Sequence, residues 1–233
     1  MGRDELLERY EAYGGETLYV EAKRLFEEAL VSNPGDARLL NQYGYLQYCR
    51  GRRAIRDAAD CYQRAIDADP QWQKPHLQLI GALAALEELD TVIPRYQQRL
   101  ADAPSDPESY RLLALACLRA HHHDQAAQAI RAGLEIAPGD PALVELQGDL
   151  YAATGRPEDA LTCWQRAYTL APDGYGISMR YSAAGLLEHQ ERLAEAAAEW
   201  RFIIRWCEER RYTITADWPK QELQRLEARI AGG

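Results

Sequence analysis

Five prolines recur along the chain at almost constant spacing. Pro34, Pro70, Pro104, Pro138 and Pro172 are separated by 36, 34, 34 and 34 residues. A period of this length marks one supersecondary unit that cannot bury its apolar face alone, so successive units must stack. The chain must therefore fold as a series of similar pieces.

Aligning on the prolines brings other positions into register. Five residues earlier stand Ala29, Ala65, Arg99, Gly133 and Ala167; eight earlier, Phe26, Tyr62, Tyr96, Ile130 and Trp164; twelve earlier, Ala22, Ala58, Val92, Ala126 and Ala160. Small, large, small at this spacing is one face of a helix that another helix approaches closely. A first helix precedes it, clearest at Leu143 to Ala153. There Gly148 is followed seven residues later by Gly155, as Gly44 is by Gly51. The first glycine of each pair predicts a close contact and the second a helix stop. Asp106-Pro107 and Asp140-Pro141 predict N-cap carboxylates ahead of a proline that needs no N–H.

These residues resemble the tetratricopeptide repeat, a 34-residue helix–turn–helix. The best match is Pro141 to Gly174, at Gly148, Tyr151, Gly155, Ala160, Trp164, Ala167 and Pro172. The resemblance implies an all-α, right-handed superhelical solenoid of about six helix-turn-helix hairpins. Repeats are expected at about 3–36, 37–72, 73–106, 107–140, 141–174 and 175–210, forming a single solenoid over 1–233. A C-terminal capping helix is expected at about 217–231, with Asp217 as its cap, Pro219 in its first turn and Leu223, Leu226 and Ile230 as its apolar stripe. That lid would cover Trp200, Phe202, Ile203, Ile204, Trp206 and Cys207, which are apolar nearly all round. A second copy covering the same helix, giving a homodimer, is the other arrangement.

Departures from the pattern are local. The second repeat carries two extra residues within 51–56, and the sixth about two before Ala196. Pro94 falls inside the expected second helix of the third repeat, so that helix must begin late or kink.

Composition narrows the function. Hydrophobic residues make up 47% of the chain, which excludes a mostly disordered protein. The formal charge of −9 argues against a phosphate-backbone partner. Cys49, Cys61, Cys117, Cys163 and Cys207 are dispersed, with no CxxC pair, and read as reduced thiols in small core gaps. With no apolar signal region and no stretch near the about 20 residues of a membrane span, the expected location is the cytosol.

The resemblance implies a concave groove lined by the second, fifth, ninth and twelfth residues of each repeat. These are Arg38, Asn41, Tyr45 and Tyr48, then Lys74, Leu77, Gly81 and Ala84, then Glu108, Arg111, Leu115 and Leu118, then Ala142, Glu145, Asp149 and Ala152. The expected partner-binding set is Arg38, Asn41, Tyr45, Tyr48, Lys74, Gln78, Arg111 and Leu115. Tyrosine and arginine offer large contact area with polar tips, so the expected partner is a protein or peptide with acidic or C-terminal carboxylate groups. The tail clamp of chaperone-binding relatives is not expected, since no three consecutive repeats carry its residues.

Chemistry has little to stand on. His121-His122-His123-Asp124 suggests a metal site, but consecutive helical residues point about 100° apart. By register this run fills the turn of the fourth repeat. There is no Gly-rich phosphate loop, HExxH or GxSxG, and Glu87-Glu88 and Glu208-Glu209 read as solvated charge. No enzyme, cofactor or metal is expected. The expected function is a non-catalytic scaffold holding a partner segment. The alternative is a helical sensor responding to a peptide or small molecule, which would need a closed pocket or a groove plugged by the C-terminal helix.

Overall fold

The computed structural model describes residues 16–48, 52–172, 177–210 and 213–232. The first helix of the first expected repeat, Cys49 and Gly51 lie outside them. Every regular element described is helical: α1 Glu16–Ser32, α2 Ala37–Tyr48, α3 Arg52–Ala68, α4 Gln73–Leu86, a 3-10 turn Leu89–Thr91, α5 Ile93–Asp102, α6 Pro107–Arg119, α7 His123–Ile136, α8 Pro141–Ala153, α9 Pro157–Leu170, α10 Ile177–His189, α11 Leu193–Glu209 and α12 Thr213–Gly232.

The proline turns are alike wherever their bonds are described. Asp36, Trp72, Asp106 and Asp140 each donate a backbone N–H to the carbonyl three residues back, at 3.1, 3.3, 3.1 and 3.1 Å. Each closes a β-turn whose second residue is the periodic proline, a position that suits its fixed φ. Asp140 then caps α8, accepting from the N–H groups of Ala142 and Leu143 at 3.0 Å each. Asp36 and Asp106 do the same for α2 and α6.

The turns between paired helices are also alike. Glu87, His121, Gly155 and Glu191 all have φ between 59° and 76°. The residue after each donates to the carbonyl five residues back, as Arg156 does to Tyr151 at 2.8 Å and His122 to Cys117 at 2.8 Å. This is the left-handed C-cap that satisfies the last carbonyls of a helix. His121 is thus an exposed turn residue, His122 Nε2 lies 3.2 Å from Asp90 Oδ1, and His123 opens α7.

The small–large–small register is the core. Phe26, Tyr62, Tyr96, Ile130, Trp164 and Trp200 are all at most 4% exposed. A Cβ on Gly148 would come within 2.6 Å of the Trp164 ring, and one on Gly44 within 2.5 Å of Tyr62. Pro94 is accommodated by a late start: the 3-10 turn takes up Leu89–Thr91 and α5 begins at Ile93, where no hydrogen bond is lost. Arg99, at a small-residue position, swings out to bond the Pro70 carbonyl at 2.6 Å.

The helices gather into two compact units. One comprises Met1–Asp102 with Leu115–His122, the other Ala103–Ala114 with His123–Gly233, so the division falls within α6. The first has a core of Ala22, Phe26, Leu30, Leu39, Leu40, Leu46 and Ala65. The second has one core around Val144, Trp164 and Met179 and another around Trp200, Ile203, Trp206 and Leu226.

The terminal helix differs from expectation at its start. α12 begins at Thr213, so Asp217 lies inside it rather than capping it, and Pro219 is interior. Leu226 is fully buried and Leu223 packs against the same cluster, but Ile230 is 45% exposed and leaves the stripe. Ion pairs fasten the helix to its predecessors: Arg225 to Glu188, Arg229 to Glu191 at 2.8 Å, Glu227 to Arg201 at 2.7 Å and Lys220 to Glu208 at 2.8 Å. Such exposed pairs are each worth about 0–1 kcal/mol; apolar burial against α11 is the larger contribution.

Candidate functional site

In the first unit the expected binding residues stand on α2 and α4. Arg38, in the first turn of α2, and Lys74, in the first turn of α4, are exposed, and Tyr45 is 46% exposed. Leu115 is half-buried. The side chain of Tyr48 lies outside the described residues.

Asn41 is fully buried, and neither its Nδ2 nor its Oδ1 has a partner among the described residues. Gln78 is half-buried, with Oε1 buried and unpartnered in the same sense. A buried polar group left unsatisfied costs about 1–3 kcal/mol. These two carboxamides are therefore unfavourable for the fold.

Sequence reasoning missed the tyrosine that is engaged internally. Tyr43 donates to Glu27 Oε1 at 2.8 Å and accepts from Gln47 Nε2 at 3.0 Å. Burial and Glu27 raise its phenol above the ordinary value. The carboxylate across from Tyr43 was the available signal, but helix register alone does not say which pairs meet.

In the second unit the expected cation is neutralised. Arg111 pairs with Glu108 and lies 3.6 Å from Asp140 Oδ2, both acids being at most 15% exposed at the side chain. It is a link between α6 and the cap of α8, not a charge open to an acidic partner. Ser178 of α10 donates to Glu145 of α8 at 3.3 Å, and Tyr181 stacks on Trp218 of α12 at 5.6 Å. Asp149 accepts from the Trp164 indole at 2.9 Å.

A second feature escaped the sequence reading. Proline carbonyls of the hairpin turns are bonded by side chains from the next repeat: Pro34 by Arg64, Pro70 by Arg99 and His76, Pro104 by Tyr110 and Pro138 by Arg166. An arginine immediately before the small residue in Arg64-Ala65 and Arg166-Ala167 is its trace in the sequence.

Three of the described cysteines hold their thiols protonated. Burial pushes the Cys61 and Cys117 thiols up to about 11, and raises that of Cys163. A thiol held protonated is a poor nucleophile.

The family model described as Tetratricopeptide repeat matches residues 77–141 and 145–200, more than half of the chain. The chain is a tetratricopeptide repeat protein. Its fold is the all-α helical-hairpin repeat of that family, with a terminal helix packed on the last hairpin. Tetratricopeptide repeat proteins of known structure share the architecture. TTC0263, a thermophilic TPR protein in Thermus thermophilus, is 18% identical with a TM-score of 0.57, over 84% of this chain and 97% of that one. A tetratricopeptide repeat protein from Parabacteroides merdae ATCC 43184 is 14% identical with a TM-score of 0.55, over 96% and 92%. The APC/C hetero-tetramer Cut9–Hcn1 contains a chain 15% identical with a TM-score of 0.57, over 79% of this chain and 36% of that one. No curated protein matches the sequence. Tetratricopeptide repeat proteins are in general non-catalytic scaffolds for protein–protein interaction. Among the described residues no helix is long and apolar enough to cross a membrane.

Proposed function

We propose that this protein is a non-catalytic scaffold that binds a partner protein segment against α2 and α4 of its first unit. Exposed Arg38, Tyr45 and Lys74 make the contact with half-buried Gln78, and Tyr48 and Leu115 complete the proposed set. The observation that carries the reading is the exposure of Arg38, Tyr45 and Lys74 at positions the repeat register assigns to the binding face. Exposed Arg38 and Lys74 favour a segment with acidic side chains or a terminal carboxylate, and Arg111 does not add to that preference. The Cut9–Hcn1 assembly, built on a similar fold, supports a protein as the ligand. Cys61, Cys117, Cys163 and Cys207 are free thiols, which suits the reducing cytosol. Self-association through α11 draws no support from the packing, since α12 covers Trp200, Trp206 and Cys207.

The test is affinity capture from the native cell with the intact chain, the Tyr45→Ala/Lys74→Ala double variant and Asn41→Leu side by side. The double variant should lose the captured protein with its helical circular dichroism unchanged. Asn41→Leu should keep it while melting at a higher temperature, because an unsatisfied buried amide is replaced by apolar volume. Equal capture by all three would move the site elsewhere.

A further inference from the structure

The starts of α2, α6 and α8 are each held by an aspartate at one repeat position: Asp36, Asp106 and Asp140 accept N–H groups of the first turn. At the matching position α4 has Trp72, whose side chain makes no cap bond. The turn before α4 is held in another way. Its Pro70 carbonyl accepts from Arg99 Nη1 at 2.6 Å and lies 3.1 Å from His76 Nε2. One repeat later, 34 residues on, Tyr110 holds the position of His76 and donates to the Pro104 carbonyl at 2.9 Å. Tyrosine and histidine do one job here, and of the two only histidine changes charge near neutral pH.

The geometry fixes the charge state of His76. A carbonyl only accepts, so Nε2 carries the proton and Nδ1 the lone pair. Nδ1 is buried and has no partner among the described residues. The residue is 2% exposed, and its ring lies 5.8 Å from that of Tyr96 on α5. A second proton, on Nδ1, would bury a charge and an unmet donor together.

The neighbouring elements offer that charge no relief. Arg95 and Arg99 of α5 repel it. Asp67, at the end of α3, is bound by Arg95 at 3.0 Å, and Asp69, in the turn, accepts from the Gln71 N–H at 3.2 Å. Tyr43 of α2 is bonded to Glu27 at 2.8 Å. Burial, with the two arginines, holds the imidazole below the ordinary 6.5 against the bond to Pro70.

We propose that His76 is an acid-sensitive latch on the start of α4. Neutral, it ties the helix to the Pro70 turn; protonated, it lets the first turn open. That turn carries Lys74, with Gln78 one turn on, so acid weakens partner binding, a step that rests on the binding face proposed above. The closed form takes up the proton less readily than the open form. The latch is therefore complete above pH 6.5 and is lost as pH falls through 6.5 toward the lower closed value. An open form titrating at the ordinary value gains up to about tenfold in population between pH 7.5 and 5.5.

The test is amide hydrogen exchange of the intact chain at those two pH values, read by mass spectrometry and corrected for the intrinsic rate at each. Protection over residues 73–79 should fall at pH 5.5 in the natural chain, by up to about tenfold. Over residues 141–153 of α8 it should hold. His76→Gln keeps a donor for Pro70 without a titrating ring, so its protection over 73–79 should be equal at both pH values. His76→Tyr, patterned on Tyr110, is the second variant. No fall, a fall shared by α8, or a fall as large in the variants would overturn the latch. A protein captured as above should leave the natural chain at pH 5.5 and stay on His76→Gln; release from both alike would overturn the effect on binding. Exchange is read without a partner, so failure of the latch and failure of the binding face are told apart.

Discussion

Gly148 and Gly81 make a controlled pair. Both are helical, but a Cβ on Gly148 would lie 2.6 Å from Trp164 and 3.2 Å from the Ala160 carbonyl oxygen, whereas one on Gly81 meets nothing within 4 Å. Gly148→Ala should destabilise by about 1–3 kcal/mol, because Trp164 must move and strain its bond to Asp149. Gly81→Ala should stabilise by about 0.5–1 kcal/mol through helix propensity alone. Urea denaturation of both variants checks the contrast, and equal effects would refute the register. His76 gives a pH dependence. It is 2% exposed, with Nε2 3.1 Å from the Pro70 carbonyl and its ring 5.8 Å from that of Tyr96. Burial holds its imidazole below the ordinary 6.5, and Arg99 and Arg95 push the same way, against the bond to Pro70. The unfolded chain therefore takes up the proton first. Stability from this residue is complete above pH 6.5 and falls as pH drops through 6.5 toward the lower folded value. The melting temperature should decline between pH 7 and 5, and His76→Gln should flatten that slope. An identical slope in the variant would assign the effect to other groups.

The described turns inside the hairpins hold strained backbone. Four share one left-handed cap, but only Gly155 is a glycine; Glu87, His121 and Glu191 hold φ near 60° with a side chain in place. The left-handed conformation costs an L-residue about 1–2 kcal/mol, and glycine gives back part of that through its freer unfolded chain. Glu87→Gly and His121→Gly should each raise stability by up to about 1 kcal/mol in thermal melts. Gly155→Ala should lower it by a similar amount. A destabilised Glu87→Gly would show that the Glu87 side chain contributes more than the strain it imposes. At the same scale, Pro94 shows how an element absorbs a conflict. The register asked for helix from about residue 89, the proline forbade it, and a 3-10 turn filled the gap while Ile93 and Tyr96 stayed buried.

A stack of hairpins must be closed at its ends, since each unit shelters the apolar side of its neighbour. α12 does this with Leu223 and Leu226 inward and Lys220, Arg225, Glu227 and Arg229 at its surface. Deleting residues 213–233 should expose Trp200, Ile203 and Trp206 and turn the protein into an aggregating species in size-exclusion chromatography. A truncated chain that stays monomeric would show that those side chains need no cover.

The sequence by itself determined the unit, its period and its core. Proline, aspartate and glycine act through their own backbone preferences, and the small–large–small face follows from helical geometry, so neither needs knowledge of distant contacts. It also determined which residues share one side of their helices, the face proposed to bind, because register fixes direction. The tertiary structure alone decided what those residues are free to do. Arg111 and Lys74 look alike in the sequence as cations on that face, yet one lies against Glu108 and Asp140 and the other is exposed. Asn41 looks like a surface amide and is buried without partners among the described residues. The start of α12 at Thr213 and the holding of Arg180 between Tyr168 and Phe202 were likewise settled by packing. Periodicity fixes where a side chain sets out; its partners and its solvent depend on the neighbouring helices, which lie tens of residues away in the chain.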